Sequence, residues 1–308
     1  MLVKSPLFSD NKIPLQRPNL RSFFDQLSHD LRRTLLDRFE QACEPSPSDW
    51  ATWFCHDQPI GVVPSHRAVW LAKQLGDCVG TDAGFNWQPT INTAHQRNEA
   101  ITRVLELAHH QGLIDGWRDE LFSFWSVSQI SPDTKVTPFL ALERTGFRFL
   151  GMLSHAVHIN GLSADGHLWC GRRAANKTID PSLLDNLAAG GVTSGEHLLS
   201  CAVRELNEEA GYRIVDPARM RYAGAVRISR AEEQLWHDEI LHIYNLSLPG
   251  DFIPTNLDGE VSEFVLLDSD SLMNRLKAGE CTDDSVLALA QGWQHSKNCQ
   301  QLRGVKTT

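Results

Sequence analysis

The sequence predicts an α/β protein of two domains, a smaller α+β domain at residues 1–142 and a larger α/β domain at residues 143–308. The chain has 308 residues, which is long enough for two cores of ordinary size. Apolar and polar residues alternate at period two through FRFLGMLSHAVHINGL and HLWCGRR, as in half-buried strands. At residues 197–210 the apolar positions recur every three or four residues, which predicts an amphipathic helix.

Helices and one hairpin are predicted for the first domain. In order, we expect a helix at 20–42, a hairpin at 53–63 around Asp57 and Pro59, a helix at 68–75, a loop at 80–92, a helix at 93–110 and a loop at 128–138. Adjacent residues on a helix point about 100° apart. His109 and His110 would therefore not chelate one metal, and we predict that both lie on the surface.

Strands and helices alternate in the second domain. In order, we expect strands within 146–162 and at 167–173, the helix at 197–210, strands at 222–228 and 239–248 on either side of an acidic loop with Glu232, Glu233 and Asp238, and a closing helix at 284–294.

The most informative stretch, residues 190–212, is called the carboxylate motif below. It reads G-x5-E-x7-R-E-U-x-E-E-x-G-U, where U is an apolar or aromatic residue: Gly190, Glu196, Arg204, Glu205, Leu206, Glu208, Glu209, Gly211 and Tyr212. From average residue frequencies, the odds of a chance match are on the order of one in a million. Thr193 and Glu196 form a capping-box pattern before its helix, and Gly211 suits a left-handed C-terminal stop.

Three carboxylates crowd one edge of the predicted helix. Glu205, Glu208 and Glu209 are three or four positions apart or adjacent, and like charges at such spacing are destabilising unless something lies between them. Mg²⁺ prefers carboxylate oxygens and shares its other positions with water and phosphates. Arg204, four residues before Glu208, could hold that carboxylate in place. A solvated acidic helix face is the alternative, but it gives Gly190 and the outlying Glu196 no role.

The composition of the chain limits the classes of partner that the protein can bind. A formal net charge of -9 and a pI near 5.8 argue against nucleic acid or an anionic membrane, since both need a basic protein face. The seven cysteines include no C-x-x-C pair, and no run of about 18 apolar residues occurs. The first residues lack the apolar stretch of a secretion signal, so we expect a cytoplasmic protein.

The carboxylate motif resembles the signature of the Nudix hydrolases at every fixed position, with Tyr212 the one loose fit. The resemblance implies an α/β/α sandwich around a mixed sheet and hydrolysis of a diphosphate linked to another moiety. It implies that Mg²⁺ or Mn²⁺ is the cofactor, held by Glu205, Glu208 and Glu209, with the carbonyl oxygen of Gly190 as a further ligand. Arg204 belongs to the same catalytic set.

The general base is left open by the resemblance. A segment after the last long strand, DGEVSEFVLLD, resembles the part of many Nudix domains that completes the metal or base site, and it places Glu260 there. The two candidates for the base are Glu260 and Glu205.

The first domain resembles a region that precedes the Nudix domain in one subgroup of plant and fungal proteins and that resembles the front part of fungal thiamine pyrophosphokinases. The strings HDQPIGVV, QRNEAI and LIDGWRDELF carry this resemblance, and HAVHINGL followed by RRxxxKT continues it. It implies thiamin diphosphate or its oxidised analogues as substrate, cleaved to the monophosphate and phosphate. The alternative is a nucleoside diphosphate linked to another group, such as ADP-ribose, NADH or a dinucleotide.

Local cations are needed because the protein is acidic overall. Arg172, Arg173 and Lys177 precede the carboxylate motif and are our candidates for binding substrate phosphates, with exposed strand-end cations as an equal alternative. His158 matches the subgroup's strand, and we expect a structural role for it. Two other classes were weighed: an isopentenyl diphosphate isomerase, which would need Cys170 as an acid–base group, and a regulator that has lost catalysis.

The first domain shows no paired acid, nucleophile or metal-ligand spacing. We therefore predict that it shapes access of the small-molecule diphosphate or forms a homodimer contact, and that it carries no separate chemistry.

Overall fold

Two larger β-sheets, one in each half of the chain, organise the described residues, and two short strands of the first half form a third sheet. The structure is a computed structural model that describes residues 21–90, 93–125, 133 and 137–304. The elements up to residue 150 are α1 (Arg21–Asp25), α2 (His29–Glu40), β1 (Trp50–Cys55), β2 (Gln58–Pro64), α3 (Ser65–Leu75), β3 (Cys78–Thr81), β4 (Gly84–Trp87), α4 (Ala94–His110), β5 (Leu121–Phe124), β6 (Leu140–Glu143) and α5 (Arg144–Leu150).

The later elements include the second sheet. They are β7 (Ser154–Leu162), β8 (Leu168–Arg173), β9 (Leu184–Asp185), β10 (Ala188–Gly191), α6 (Leu198–Ala210), β11 (Arg221–Glu232), β12 (Leu235–Ser247), β13 (Val261–Leu267), α7 (Ser269–Lys277) and α8 (Asp283–Gly304). Most of the predicted loop at 128–138 lies outside the described residues. In the described part of the chain, no helix has both the length and the apolar content that a bilayer span requires.

The first sheet has the strand order β2-β1-β4-β3, with β1 and β4 parallel. The predicted hairpin is confirmed, because Cys55 of β1 pairs with Gln58 of β2 across a two-residue turn. His56 and Asp57 in that turn have φ of 48° and 64°. Positive φ at both positions is what a type I′ turn requires, and this turn matches the twist of the strands.

The predicted loop at 80–92 is wrong over its first part, where β3 and β4 form instead. Phe85 and Trp87 of β4 are 5% and 3% exposed. Their strand is held by parallel pairing with β1, some thirty residues earlier in the chain. A strand that depends on so distant a partner shows no pattern of its own in the local sequence. The glycines of this segment therefore led to the prediction of a loop.

The helices of the first half mostly follow the predictions. Thr93 and Gln96 form a reciprocal capping box at the start of α4, and His109 and His110 at its end are exposed, as expected. The predicted helix at 20–42 is divided into α1 and α2. Ser28 begins the second of them, because its hydroxyl accepts a hydrogen bond from the backbone N–H of Leu31 at 3.2 Å.

The strand predicted through FRFLGML is wrong, because these residues form α5. The Glu143 carboxylate caps this helix, and Gly151 ends it with φ of 63°. A Cβ atom at Gly151 would lie 1.7 Å from the carbonyl oxygen of Val62, so only glycine fits there. Both Phe147 and Phe149 are buried, so α5 packs on more than one side. A short helix buried in this way can imitate the alternation of a strand.

The second sheet has the order β11-β12-β7-β8-β13, with β10 added to β7 and β9 to β8. Strands β12 and β7 are parallel and the other pairs are antiparallel, which makes the sheet mixed. All nine residues of β7 are buried, whereas the sequence predicted a half-buried strand. The reason is that helices cover both faces of the sheet.

One face of the second sheet packs against α6 and the other against α8. Val157 and Ile159 of β7 share a core with Leu206 of α6, whereas Ala156 shares one with Leu287 of α8. Side chains alternate between the faces of a strand, so neighbouring residues enter different cores. The α/β/α sandwich around a mixed sheet is therefore confirmed.

The acidic loop predicted between the strands at 222–228 and 239–248 is wrong. The two strands continue as β11 and β12 and meet in a turn at Glu233, which has φ of 53°. Asp238 lies within β12, 7% exposed, and accepts two hydrogen bonds of 2.7 Å from Arg227. Asp238 can therefore lie inside a strand because Arg227, on the neighbouring strand, offsets its charge. The sequence alone does not show this partner, so an acidic residue there was predicted to lie in a loop.

The core of the first half extends beyond the predicted boundary at residue 142. It runs from Ala51 to Met152 and includes Phe147 and Leu150 of α5. We refer to residues 50–152 as the N-terminal unit. The preceding helix α2 packs instead with the second half, where its residues join Trp293 of α8 in one core. The division at 142 stays a prediction.

A buried ionic group links α8 to the second sheet. Asp284, at the start of α8, accepts a hydrogen bond of 3.3 Å from Arg230 and lies 3.5 Å from Nε2 of His237. Burial raises the pKa of the Asp284 carboxyl, but its interaction with His237 and the charge of Arg230 outweigh burial, so the pKa is far below its usual value. Glu239 lies close by and accepts from Ser154. These acids already have protein donors, and we assign the group to stability.

We expect Asp284→Asn to lower the free energy of unfolding by about 3 kcal/mol, because it leaves buried cationic groups without their counter-charge. The midpoint of urea unfolding at neutral pH measures this loss. Asp283→Asn is the matched control, since Asp283 pairs with Arg38 at the surface and should cost less than about 1 kcal/mol. Equal effects of the two substitutions would contradict the assignment.

Candidate active site

The helix of the carboxylate motif begins one residue later than predicted. Its N-cap is His197, which makes no side-chain capping bond, so the capping box predicted from Thr193 and Glu196 is wrong as a helix cap. The two side chains do contact each other, with the Thr193 hydroxyl donating to Glu196 at 3.1 Å in the preceding turn. The backbone N–H of Leu198 donates to Asp133 at 2.9 Å instead. The predicted left-handed stop at Gly211 is confirmed, with φ of 67°.

The role of Glu196 in the motif is to bind the guanidinium of Arg204. The guanidinium donates from Nε and Nη2 to the two oxygens of Glu196, at 2.9 and 3.0 Å. Its Nη1 donates to Glu205 at 2.6 Å and to Glu208 at 3.0 Å, as expected for Glu208. Arg204 therefore joins three carboxylates of the motif. The bidentate pair sets the plane of the guanidinium and thereby the position of the other two acids.

Glu205 packs directly against Gly190. A Cβ atom at Gly190 would lie 2.0 Å from Oε1 of Glu205, so any larger residue would displace the carboxylate. Glu205 is 8% exposed, and burial raises the pKa of its carboxyl to about 7 despite the opposing charge of Arg204. A carboxyl in this position becomes fully charged only when a cation offsets the loss of water. The carbonyl oxygen of Gly190 lies 3.9 Å from Sγ of Cys201.

Glu209 lies deeper, against the strand that leads into the motif. The backbone N–H of Ala189 donates to it at 2.8 Å, and the residue is 7% exposed. Burial and then the charge of Glu205 raise the pKa of the Glu209 carboxyl well above its usual value. Glu208 differs, with 43% of its side chain exposed. The predicted ligands thus occupy one edge of α6 at three different depths.

A second source of carboxylates faces Glu209 across the site. Asp258 and Glu260 lie just before β13. One carboxylate oxygen of each lies within 4.8 Å of the other and of a carboxylate oxygen of Glu209. Lys177 forms an ion pair with Glu260. All the donors are oxygens and too many are acidic to be neutralised by Lys177 and Arg204, so the group fits a hard divalent cation. Asp258 was not a sequence candidate, although it stands two residues before Glu260.

The three predicted phosphate-binding cations are in different places. Lys177 contacts the site through Glu260, as described. Arg173 donates to the Ile179 carbonyl and to Asp185 at 3.1 Å. Arg172 pairs with Glu263 at 2.5 Å and also donates to a backbone carbonyl.

The faces of β8 separate the two arginines. Leu168 and Cys170 of β8 pack into the core on the α8 side, and alternation puts Arg172 on that same face. Arg173 faces the α6 side. Their roles as phosphate ligands stay predictions, but both guanidinium groups already have protein partners.

His158 belongs to a buried polar network between the second sheet and α8. Its Nδ1 lies 2.8 Å from Asn186, whose amide donates to Asn160 at 2.8 Å, and Asn160 donates to Asn245 at 2.9 Å. All four residues are at most 4% exposed. The network fits the structural role expected for His158. Cys170 is also buried on the α8 side, away from the carboxylates of α6 that an isomerase would need beside it.

The chain is similar in sequence to known proteins. The model of the NUDIX domain matches residues 154–289. Over 290 residues the chain is 31% identical to "Nudix hydrolase 24, chloroplastic" of Arabidopsis thaliana, covering 91% of this chain and 76% of that protein. It is 33% identical to "Nudix hydrolase 20, chloroplastic" of the same plant, over 65% of this chain and 53% of the relative. The crystal structure of DR0079 from Deinococcus radiodurans has a TM-score of 0.37 at 20% identity, covering 56% of this chain and 98% of that one.

The sandwich and the carboxylate-lined helix define a hydrolase of diphosphate-containing substrates, of the class that generally uses divalent metals. The chain belongs to the Nudix hydrolase family.

Proposed function

We propose that this protein is a Mg²⁺- or Mn²⁺-dependent hydrolase that converts thiamin diphosphate, or its oxidised analogues, to the monophosphate and phosphate. The observation that carries the reaction is the group of carboxylates shared by α6 and the segment before β13. Glu209, Asp258 and Glu260 lie in it, Glu205 is near enough for its charge to raise the pKa of Glu209, and Glu208 stands at the exposed margin.

A divalent cation bound there would place positive charge at the phosphoryl oxygens and lower the pKa of the attacking water. The residues themselves account for the rest. Glu205, Glu208 and Glu209 supply oxygens, and Arg204 holds the first two in place. Gly190 leaves the space in which Glu205 lies. Such a prepositioned set costs little reorganisation during the reaction.

The general base is one of two carboxylates. Burial raises the pKa of Glu260, but the hydrogen bond and charge of Lys177 bring it below its usual value, so this group is ionised at neutral pH. Glu205 is the more basic carboxylate, since burial raises its pKa to about 7. Both remain candidates, because a base must be deprotonated and within reach of the water.

The substrate proposal rests on the first half of the chain. The similarity between the whole chain and "Nudix hydrolase 24, chloroplastic" extends over 91% of the sequence. That similarity therefore includes the first half of the chain as well as the carboxylate motif. The resemblance of this half to the front part of thiamine pyrophosphokinases favours a thiamin-type organic group. Losing one phosphate would remove most of the charge by which a damaged coenzyme stays bound to other enzymes.

The test is a panel of diphosphates with Mg²⁺ or Mn²⁺ and products identified by mass. We expect kcat/KM for oxidised thiamin diphosphates to exceed that for ADP-ribose, NADH and diadenosine polyphosphates by at least about tenfold, or ~1.4 kcal/mol in transition-state binding. A Glu209→Gln preparation, purified identically, controls for contaminating phosphatases. Preference for a nucleotide would contradict the thiamin proposal and favour the nucleoside diphosphate alternative.

A further inference from the structure

The N-terminal unit contacts the carboxylate motif directly. The backbone N–H of Ser194 donates to the carbonyl oxygen of Leu121 in β5 at 2.7 Å, and Phe122 forms a bridge with Thr193. The hydroxyls of Ser123 and Ser194 are 2.7 Å apart. Strand β5 therefore pairs with the loop that precedes α6. Hydrogen bonds between backbone groups and between the two serine hydroxyls fix the position of β5 relative to this loop.

An aromatic ring fills the space beside the two glycines of the motif. Phe122 is 6% exposed, and a Cβ atom at Gly191 would lie 2.1 Å from its Cζ. The guanidinium of Arg144 also lies over this ring, with its Cζ 5.1 Å from the ring centroid. Gly191 is next to Gly190, whose missing side chain makes room for Glu205. Through Phe122, the first residue of α5 is thus held beside the carboxylates.

A second arginine is held in the same place by a buried acid. Glu143 is 4% exposed and accepts hydrogen bonds of 3.1 Å from the backbone N–H groups of Arg118 and Glu120. Glu120 in turn pairs with Arg144. The side chain of Arg118 is exposed, and no carboxylate among the described residues pairs with it. Its backbone is fixed while its guanidinium is available to a ligand.

Electrostatics agree with this placement. Burial raises the pKa of the Glu260 carboxyl, but Lys177, then Arg144 and then Arg118 lower it below its usual value. Arg144 is placed beside the motif by its contact with Phe122, and Arg118 lies near Arg144 because Glu143, which accepts from the Arg118 backbone, also caps the helix that Arg144 begins. Once a divalent cation has offset the acids, an incoming diphosphate still needs cations for its outer oxygens, and a guanidinium donates to two of them at once.

We propose that Arg118 and Arg144 bind the diphosphate of the substrate, so that the N-terminal unit completes the active site. The sequence candidates for this role, Arg172 and Arg173, lie instead on β8, in the second sheet. The role of Arg118 and Arg144 rests on the proposed function only in that the site takes a diphosphate. The organic group attached to that diphosphate is not part of the inference.

The experiment uses the full chain with Mg²⁺ and methylenediphosphonate, a non-hydrolysable diphosphate without an organic group. Isothermal titration should show that Arg118→Ala and Arg144→Lys each raise the Kd by about tenfold or more. With the best substrate of the panel, KM should rise by a similar factor and kcat should change less than about threefold, because these cations bind ground and transition states alike. Arg144→Lys keeps the charge beside Phe122 while losing the two-pronged donor.

Arg103→Ala is the matched control, since Arg103 is an exposed residue on α4 of the same unit, and its Kd and KM should equal those of the wild type. Wild-type Kd and KM in both Arg118→Ala and Arg144→Lys would overturn the inference. A panel in which nucleotides are preferred, but in which KM still rises in the two variants, would refute the thiamin proposal and leave the arginine proposal standing.

Discussion

Replacing Glu209 by Gln is expected to lower kcat/KM by at least about 10³-fold, equivalent to ~4 kcal/mol of transition-state stabilisation, while the protein stays folded. Glu209 is the deepest acid of α6 and lies within 4.8 Å of oxygens of Asp258 and Glu260. The Gln side chain keeps an oxygen to accept the hydrogen bond from Ala189, so the local structure survives. What is lost is a negative charge at the proposed cation site.

Steady-state kinetics with titrated Mg²⁺ measures this effect, and circular dichroism checks the fold. Glu208→Gln should show a loss of the same kind, because it removes another predicted ligand. Glu233→Gln is the matched control, since Glu233 is exposed at the turn between β11 and β12, and its activity should be normal. Near-normal turnover of both Glu209→Gln and Glu208→Gln would show that the carboxylates of α6 are not the reaction centre.

Adding a single methyl group at Gly190 is expected to lower kcat/KM by about 10²-fold. The new Cβ atom would lie 2.0 Å from Oε1 and 2.1 Å from Cδ of Glu205, so Gly190→Ala has to push the carboxylate away. A shift of about 1 Å in a positioned group can cost about 10²-fold in rate. Glu205 also accepts a hydrogen bond from Arg204, which donates to Glu208 as well. Displacing the Glu205 carboxylate should therefore also displace Arg204 and Glu208.

The matched control for this substitution is Gly80→Ala in β3. No atom lies within 4 Å of a Cβ at Gly80, and its φ is not in the left-handed region, so activity and stability should be close to wild type. Crystal structures of Gly190→Ala should show Glu205 in another rotamer. A fully active Gly190→Ala variant with Glu205 in place would contradict the steric argument.

The sequence by itself determined the elements whose causes are local. The apolar spacing at residues 197–210 predicted α6 to within one residue, because a helix with one buried face repeats every three or four positions. Gly211 and Thr93 marked helix ends through bonds to residues within one turn. The spacing of Glu205, Glu208 and Glu209 also predicted a cation site on one edge of this helix, and all three do lie on α6.

Only the tertiary structure decided what depends on distant partners. Strand β4 exists because it pairs with β1, and α5 is a helix because two surfaces bury it, although its residues alternate like a strand. Asp258 joins Glu209 across the fold. Arg118 and Arg144 come to the site only because Glu143 and Phe122 hold them there. Such contacts are made between residues far apart in the chain, so they leave no period or spacing in the sequence from which to predict them.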